Sequence, residues 1–102
     1  MAQEVNIGDS VIVIKFDIMA LRAAQKKMGR PVRDVVQNMD VDEVCELTAC
    51  GLLHNGSKVV PKTVEGWLQK NPECFLPLMT ALAHAIAEAY ARLLPQKKET
   101  EE

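Results

Sequence analysis

The chain has 102 residues, a formal net charge of −2, 48% hydrophobic residues and only 4% aromatic residues. This length supports one domain with its own core. The near balance of 12 Lys and Arg against 14 Asp and Glu argues against a dedicated nucleic-acid binder. The hydrophobic fraction is too high for an intrinsically disordered chain.

The N-terminal segment MAQEVNIGDS has neither the basic nor the apolar region of a signal peptide. The longest apolar stretch, residues 75–94, is interrupted by His84, Glu88 and Arg92, so no membrane span is expected. The three cysteines, Cys45, Cys50 and Cys74, are an odd number without a CxxC motif. They fit free thiols in a reducing compartment, and we expect a cytoplasmic protein.

Residues 4–16 are typical of a β-hairpin with its turn at Gly8 and Asp9. On the second strand, Val11 and Val13 share one face, and the other face is also apolar. Such a strand is expected to be covered on both faces. A lone two-stranded hairpin is marginal in water, so it must pack on helices, and its open edge could pair with another copy.

Helix signals divide the next part of the chain. Asp17 is a plausible N-cap for a first helix, and Gly29 is a natural residue to end it. Pro31 fits the first turn of a short second helix that reaches Gln37. Asp40 with Glu43 three residues later predicts a capping box for a third helix. The buried faces of the first and third helices are predicted to contain Ile18, Leu21, Ala24, Met28, Val41, Val44, Cys45, Thr48 and Leu52.

The rest of the chain predicts a loop over residues 51–62, a short fourth helix capped by Thr63, and a long last helix ending near Leu94. Pro77 either kinks this last helix or marks its start after a separate turn. Its apolar stripe is predicted to be Phe75, Met79, Leu82, Ile86, Tyr90 and Leu93. The predicted fold is therefore α+β: an N-terminal hairpin packed on about five mostly short helices, as a single domain over residues 1–95 with a solvated charged tail, residues 96–102.

The sequence offers little catalytic chemistry. Cys50 and His54 lie four residues apart, but no second close pair completes a four-ligand metal site. There is no nucleophile elbow and no glycine-rich phosphate loop. We therefore predict that the chain is not an enzyme and needs neither a metal nor another cofactor.

Charge is segregated along the chain. Residues 15–33 carry a net charge of +5 and residues 34–46 a net charge of −5. The helix–glycine–proline–helix junction inside the basic part is reminiscent of a helix-turn-helix, although it has few base-reading side chains. A small DNA-binding regulator is thus the alternative function; oppositely charged surfaces that meet between subunits or on a protein partner are another possibility. The basic candidates are Arg22, Lys26, Lys27, Arg30 and Arg33.

The order of elements carries a resemblance. A hairpin ending at Phe16 is followed by Ala20-Leu21, by Met28-Gly29, by Gly51-Leu52-Leu53 and by the segment TVEGWL, residues 63–68. Over about residues 5–94 the chain resembles the small tail assembly chaperones of long-tailed phages, prophages and gene transfer agents. The resemblance implies a non-enzymatic protein of the bacterial host cytoplasm, absent from the mature virion. It also implies the tape measure protein as partner, with the tail tube protein as a further candidate and self-association into a homo-oligomer.

A chaperone that coats a polymer needs exposed apolar surface rather than a deep pocket. Three parts of the sequence could provide it: the hairpin edge, the apolar residues of the predicted loop, and an alanine stripe on the last helix. The candidate partner-binding residues are Val11, Val13, Leu52, Leu53, Val59, Val60, Ala81, Ala85 and Ala89.

Overall fold

An antiparallel hairpin opens the chain and five α-helices follow it, in a computed structural model that describes residues 2–56 and 58–93. This architecture confirms the α+β prediction. The predicted tail, residues 96–102, and Leu94 lie outside the described residues. The strands are β1 (Gln3–Ile7) and β2 (Ser10–Ile14), and the helices are α1 (Ile18–Met28), α2 (Val32–Val36), α3 (Val41–Gly51), α4 (Pro61–Lys70) and α5 (Phe75–Leu93), with 3₁₀ turns at Leu53–Asn55 and Pro72–Cys74.

The hairpin has the predicted two-residue turn. Ile7 pairs with Ser10, and Gly8 adopts a φ of 61°, which glycine reaches without strain. Val5 and Ile14 point into the core, whereas Val11 is 57% exposed. The expectation that β2 is covered on both faces is therefore wrong within one copy of the chain, because the helices cover only one face.

The predicted helix ends at α1 and α3 are confirmed. The carboxylate of Asp17 accepts a hydrogen bond from the amide of Ala20 at 2.8 Å, and Gly29 ends α1 with a φ of 71°. Asp40 and Glu43 form both hydrogen bonds of a capping box at the start of α3. These ends were predictable because each depends on side chains within one helical turn.

The middle of the chain contains more helix than predicted. The segment assigned to a loop includes the 3₁₀ turn Leu53–Asn55, and α4 begins at Pro61 rather than after Thr63. Val60 is extended and its carbonyl accepts the first helical hydrogen bonds, so Pro61 occupies the first helical position that proline favours. A separate 3₁₀ turn, Pro72–Cys74, precedes α5. Pro77 therefore lies in the first turn of α5, where a backbone N–H has no helical partner and its absence costs little.

The buried face of α5 is rotated relative to the predicted stripe. Leu82 and Ile86 are buried as predicted, but Leu78 joins them while Leu93 is 47% exposed. Ala81, Ala85 and Ala89 complete the buried face. Small side chains there allow α5 to pack closely against β1, α2 and α3.

One stretch, Pro72–Leu93, is long and apolar enough to cross a membrane by length and composition. In this structure, however, α5 is a core helix, and its Leu78, Leu82 and Ile86 side chains are at most 1% exposed. About 39% of the most apolar 18-residue window of this stretch is buried, so one face of α5 packs in the core of a compact globule while the other is exposed.

The C-terminal end of α3 supports the hairpin at very short range. The amide of Lys15 donates a hydrogen bond to the carbonyl of Gly51 at 3.0 Å. A Cβ atom on Gly51 would lie 2.8 Å from Ile14 Cγ2 and 3.0 Å from Phe16 Cε1. Only glycine leaves enough room for α3 to approach β2 this closely.

We predict that Gly51→Ala destabilises the protein by about 1–3 kcal/mol, because an added methyl group overpacks the contact with Ile14 and Phe16. Gly66→Ala is the matched control, since nothing lies within 4 Å of a Cβ at that helical position. We expect this control to be neutral or to stabilise by about 0.5–1 kcal/mol. Urea unfolding followed by circular dichroism measures both; equal effects of the two substitutions would contradict the role of Gly51.

Candidate protein-interaction surfaces

The outer face of the hairpin and the turn after α3 form the first candidate surface. Val11 is 57% and Leu53 is 48% exposed, and Val13 is partly buried. The Nε2–H of His54 donates to the carbonyl of Val13 at 2.9 Å, which fixes the Leu53–Asn55 turn beside β2. We call Val11, Val13 and Leu53 the hairpin–loop face.

Only some of the backbone N–H and C=O groups on the outer edge of β2 have hydrogen-bond partners. The Val13 carbonyl and the Lys15 amide point away from β1, because their partners are His54 and Gly51. Alternate residues of a strand share this direction, so the N–H and C=O of Val11 point outward as well. Among the described residues, no hydrogen-bond partner is found for these two groups of Val11. The edge is therefore closed at one end and open at the turn end.

Several predicted surface residues lie inside the molecule. Leu52 is 3% exposed, and the alanine stripe of Ala81, Ala85 and Ala89 packs in the core. These four residues are corrected from surface to buried positions: the helical pattern of α3 already predicted that Leu52 is buried, and the alanines allow close packing of α5. Val59 is partly buried against the core, and Val60 is 53% exposed.

The structure brings three of the five basic candidates together. Arg22, Lys26 and Arg30 line one open cleft of about 440 Å³ at the junction of α1 and α2. Lys27 and Arg33 are exposed but do not line this cleft. The second helix of the junction, α2, has only five residues, of which two are buried. Five residues make about one and a half helical turns, so this helix has few side chains with which to contact base edges.

The basic and acidic segments touch within the chain. The guanidinium of Arg30 lies 2.6 Å from Glu43 Oε2, while the other carboxylate oxygen of Glu43 accepts from the amide of Asp40. Side chains in this pair are 48% and 22% exposed, so the pair adds little stability. It orients the loop after α1 toward the start of α3.

A second surface lies on α1 and was missed by the sequence analysis. Ile18, predicted to be buried, is 56% exposed, and Met19 is 77% exposed. Together with Ala23, they line a shallow cleft flanked by Arg22 and Lys26. We call these five residues the α1 cleft. Ile18 is the first residue of α1, and the core lies under the following turn at Ala20 and Leu21.

A third surface lies among α3, α4 and the turn before α5. Val41, also predicted to be buried, is 53% exposed and borders an apolar groove of about 340 Å³. Like Ile18, Val41 is the first residue of its helix, so helical periodicity placed it on the buried face although the core does not extend that far. We call this site the α4 groove, and its lining residues are Val41, Glu65, Leu68, Gln69, Pro72 and Phe75.

The residues considered for metal or thiol chemistry do not form a joint site. His54 is exposed and bonded to Val13, whereas Cys50 is buried. Within residues 2–56 and 58–93, no group of three His, Cys, Asp or Glu side chains is placed to hold a metal ion. The Cys74 thiol donates to the carbonyl of Asn6 at 3.4 Å, which ties the turn before α5 to β1.

Two buried thiols are electrostatically disfavoured as thiolates. Burial raises the pKa of Cys45 above its usual 9.0, and the nearby carboxylates of Glu65, Asp42 and Glu46 raise it further. Burial also raises the pKa of Cys50, where Glu46 adds to the effect and Lys27 opposes it. Because the thiolate is the nucleophile, both cysteines are suited to packing rather than to reaction at neutral pH.

The chain was compared with protein-family models, curated proteins and solved structures, and none of them matches it.

We predict that Cys45 and Cys50 resist alkylation by iodoacetamide in the folded protein at about pH 7 and react readily after denaturation. Since their pKa values are raised by folding, the unfolded chain loses these protons first as the pH rises. The free energy of unfolding should therefore fall above about pH 9, and less steeply in Cys50→Ala. Mass spectrometry and urea unfolding measure the two effects, and rapid alkylation of both folded thiols would contradict this prediction.

Proposed function

We propose that this protein is a non-enzymatic tail assembly chaperone that holds the apolar tape measure protein in solution until tail tube subunits surround it. The observation that carries the proposal is the hairpin–loop face, where Val11 and Leu53 are about half exposed on a rigid support. The resemblance in element order over residues 5–94 supports it. Exposed aliphatic side chains held in a fixed arrangement are typical of protein-binding surfaces.

The small area of the hairpin–loop face limits how tightly one copy could bind a client. Three aliphatic side chains offer far less area than a stable interface of about 800 Å² per partner. Each contact with the client is therefore weak, and many copies along one long client provide the overall affinity. Weak individual contacts also let tail tube subunits displace the chaperone stepwise, which fits a protein of the host cytoplasm that is absent from the finished virion.

Duplex DNA is the rival partner, through the cleft lined by Arg22, Lys26 and Arg30. A gel shift separates the two proposals, because DNA binding through these residues would weaken steeply with added salt. We expect no shift with duplex DNA at physiological salt. A salt-sensitive shift that is lost in Arg22→Glu would favour the regulator and overturn the chaperone proposal.

We predict that co-expression with the tape measure protein from the same tail gene cluster keeps that protein soluble and allows its co-purification. Val11→Asp combined with Leu53→Asp should reduce the recovered client at least tenfold, because two charges would have to be desolvated on binding. Leu76→Asp is the matched control, since Leu76 is 66% exposed in the first turn of α5 and is not one of the three residues of this face.

Circular dichroism must first show that all these variants fold as the unmodified chain does. Equal loss of client with the Leu76 control, or no loss with the double variant, would contradict the assignment of the hairpin–loop face. A gene neighbourhood without any long tape measure reading frame would contradict the function itself.

A further inference from the structure

The open end of the β2 edge presents three backbone groups in a row. The N–H and C=O of Val11 point away from β1, and the N–H of Val13 shares their direction because alternate residues of a strand do. Within residues 2–56 and 58–93, the N–H of Val13, like both groups of Val11, has no hydrogen-bond partner. Donor, acceptor and donor in this order along a strand are the pattern that the backbone of an added strand completes.

The length of this open edge is limited at both ends. The carbonyl of Val13 is occupied by the His54 ring at 2.9 Å, and the amide of Lys15 by the carbonyl of Gly51 at 3.0 Å. At the other end, the hairpin turns back at Gly8. An added strand therefore has room to pair only opposite residues 11–13 and must leave the edge on either side of them.

The side chains at this edge are apolar on both faces of the sheet. Val11, 57% exposed, and Val13, partly buried, lie on the outer face. Ile12 lies on the inner face with Val5 and Ile14, which are buried, whereas Ile12 is only partly buried. An added strand places one side chain beside Ile12 and its neighbours beside Val11 and Val13. The segment that fits is therefore apolar at consecutive positions rather than at alternate ones.

These limits favour a partner segment without fixed structure of its own. A flexible segment can bend away at both ends of so short an edge, whereas a strand of a folded protein brings the rest of its sheet with it. Leu53, 48% exposed, belongs to the turn that His54 holds beside the closed end of the edge. A segment that leaves the edge there passes this side chain and can bury it.

We propose that the client binds as an extended apolar segment that adds to β2 as a third strand, antiparallel to it, through the backbone groups of Val11 and Val13. The antiparallel direction lets one client residue form both hydrogen bonds with Val11. This inference rests on the proposed client-binding role of the hairpin–loop face and adds how the client backbone is held. Because backbone groups are the same in every residue, such an edge accepts many segments of one long apolar client.

Two substitutions at Val11 separate a backbone contact from a side-chain contact. Val11→Pro removes the outward N–H and keeps an apolar side chain. Proline is tolerated on an edge strand where the N–H faces solvent, and the preceding Ser10 is already extended. Val11→Thr is the matched control, because it keeps the N–H and nearly the same side-chain shape while making the side chain polar. Circular dichroism checks that both variants fold.

The probe is the acetylated and amidated peptide Lys-Thr-Val-Ile-Val-Thr-Lys, whose centre is apolar at consecutive positions and whose lysines keep it soluble. A second version carries N-methyl groups on its three central amides, which blocks backbone pairing and leaves every side chain unchanged. The methylated peptide tests the backbone contact on the unmodified protein, so the test does not depend on the folding of Val11→Pro.

We predict that saturating peptide slows amide hydrogen exchange at Val11 and Val13 by about tenfold, measured by ¹⁵N NMR. The unmodified peptide should bind Val11→Pro about tenfold more weakly than the unmodified chain, and the methylated peptide should show a similar loss on the unmodified chain. Val11→Thr should bind the unmodified peptide nearly as the unmodified chain does, because its backbone is intact.

Several outcomes would overturn the proposal. If the methylated peptide binds equally well, or if Val11→Pro binds normally while Val11→Thr does not, the contact is made by side chains alone and the chaperone proposal still stands. Slowed exchange at Val11 and Val13 that grows with protein concentration in the absence of peptide would show that a second copy occupies the edge. Conversely, slowed exchange with peptide but no client recovered on co-expression would contradict the chaperone proposal and retain strand addition.

Discussion

The approach of α3 to the hairpin is the constraint on which the rest of the structure depends. A two-stranded hairpin cannot stand alone in water, so it needs a hydrophobic support on one face. Gly51 allows α3 to come within contact distance of Ile14 and Phe16. The hydrogen bond from the Lys15 amide to the Gly51 carbonyl fixes the position of α3 relative to the hairpin. Once this face is covered, the opposite face of β2 is the one left toward solvent.

The same junction connects the core to the candidate client surface. The chain leaves α3 at Gly51, and the next turn carries His54, which bonds to Val13 on the outer edge of β2. Leu53 is thereby held beside the hairpin instead of on a free loop. Rigidity matters for a weak binding face, because side chains that are already ordered lose less entropy when a partner binds.

How well a feature could be predicted from the sequence depends on how far apart along the chain its interacting residues lie. The caps at Asp17 and Asp40 were predictable because their partners lie within one turn of the chain. The exposure of Ile18 and Val41 was not, since periodicity identifies the apolar side of a helix but not where the neighbouring elements end. The burial of the α5 alanines likewise depends on how closely other elements approach, which no local pattern records.

The helix α5 also sets how two separate sites of the chain are placed relative to each other. It is continuous from Phe75 to Leu93, so its length fixes the distance between the α4 groove at Phe75 and the cavity at Leu93. One residue inserted into a helix lengthens it by about 1.5 Å and turns everything beyond the insertion by about 100°. One inserted residue would therefore rotate and displace the cavity that Leu93 shares with Ile18 relative to the α4 groove beside Phe75, while the residues that line the two sites stayed the same.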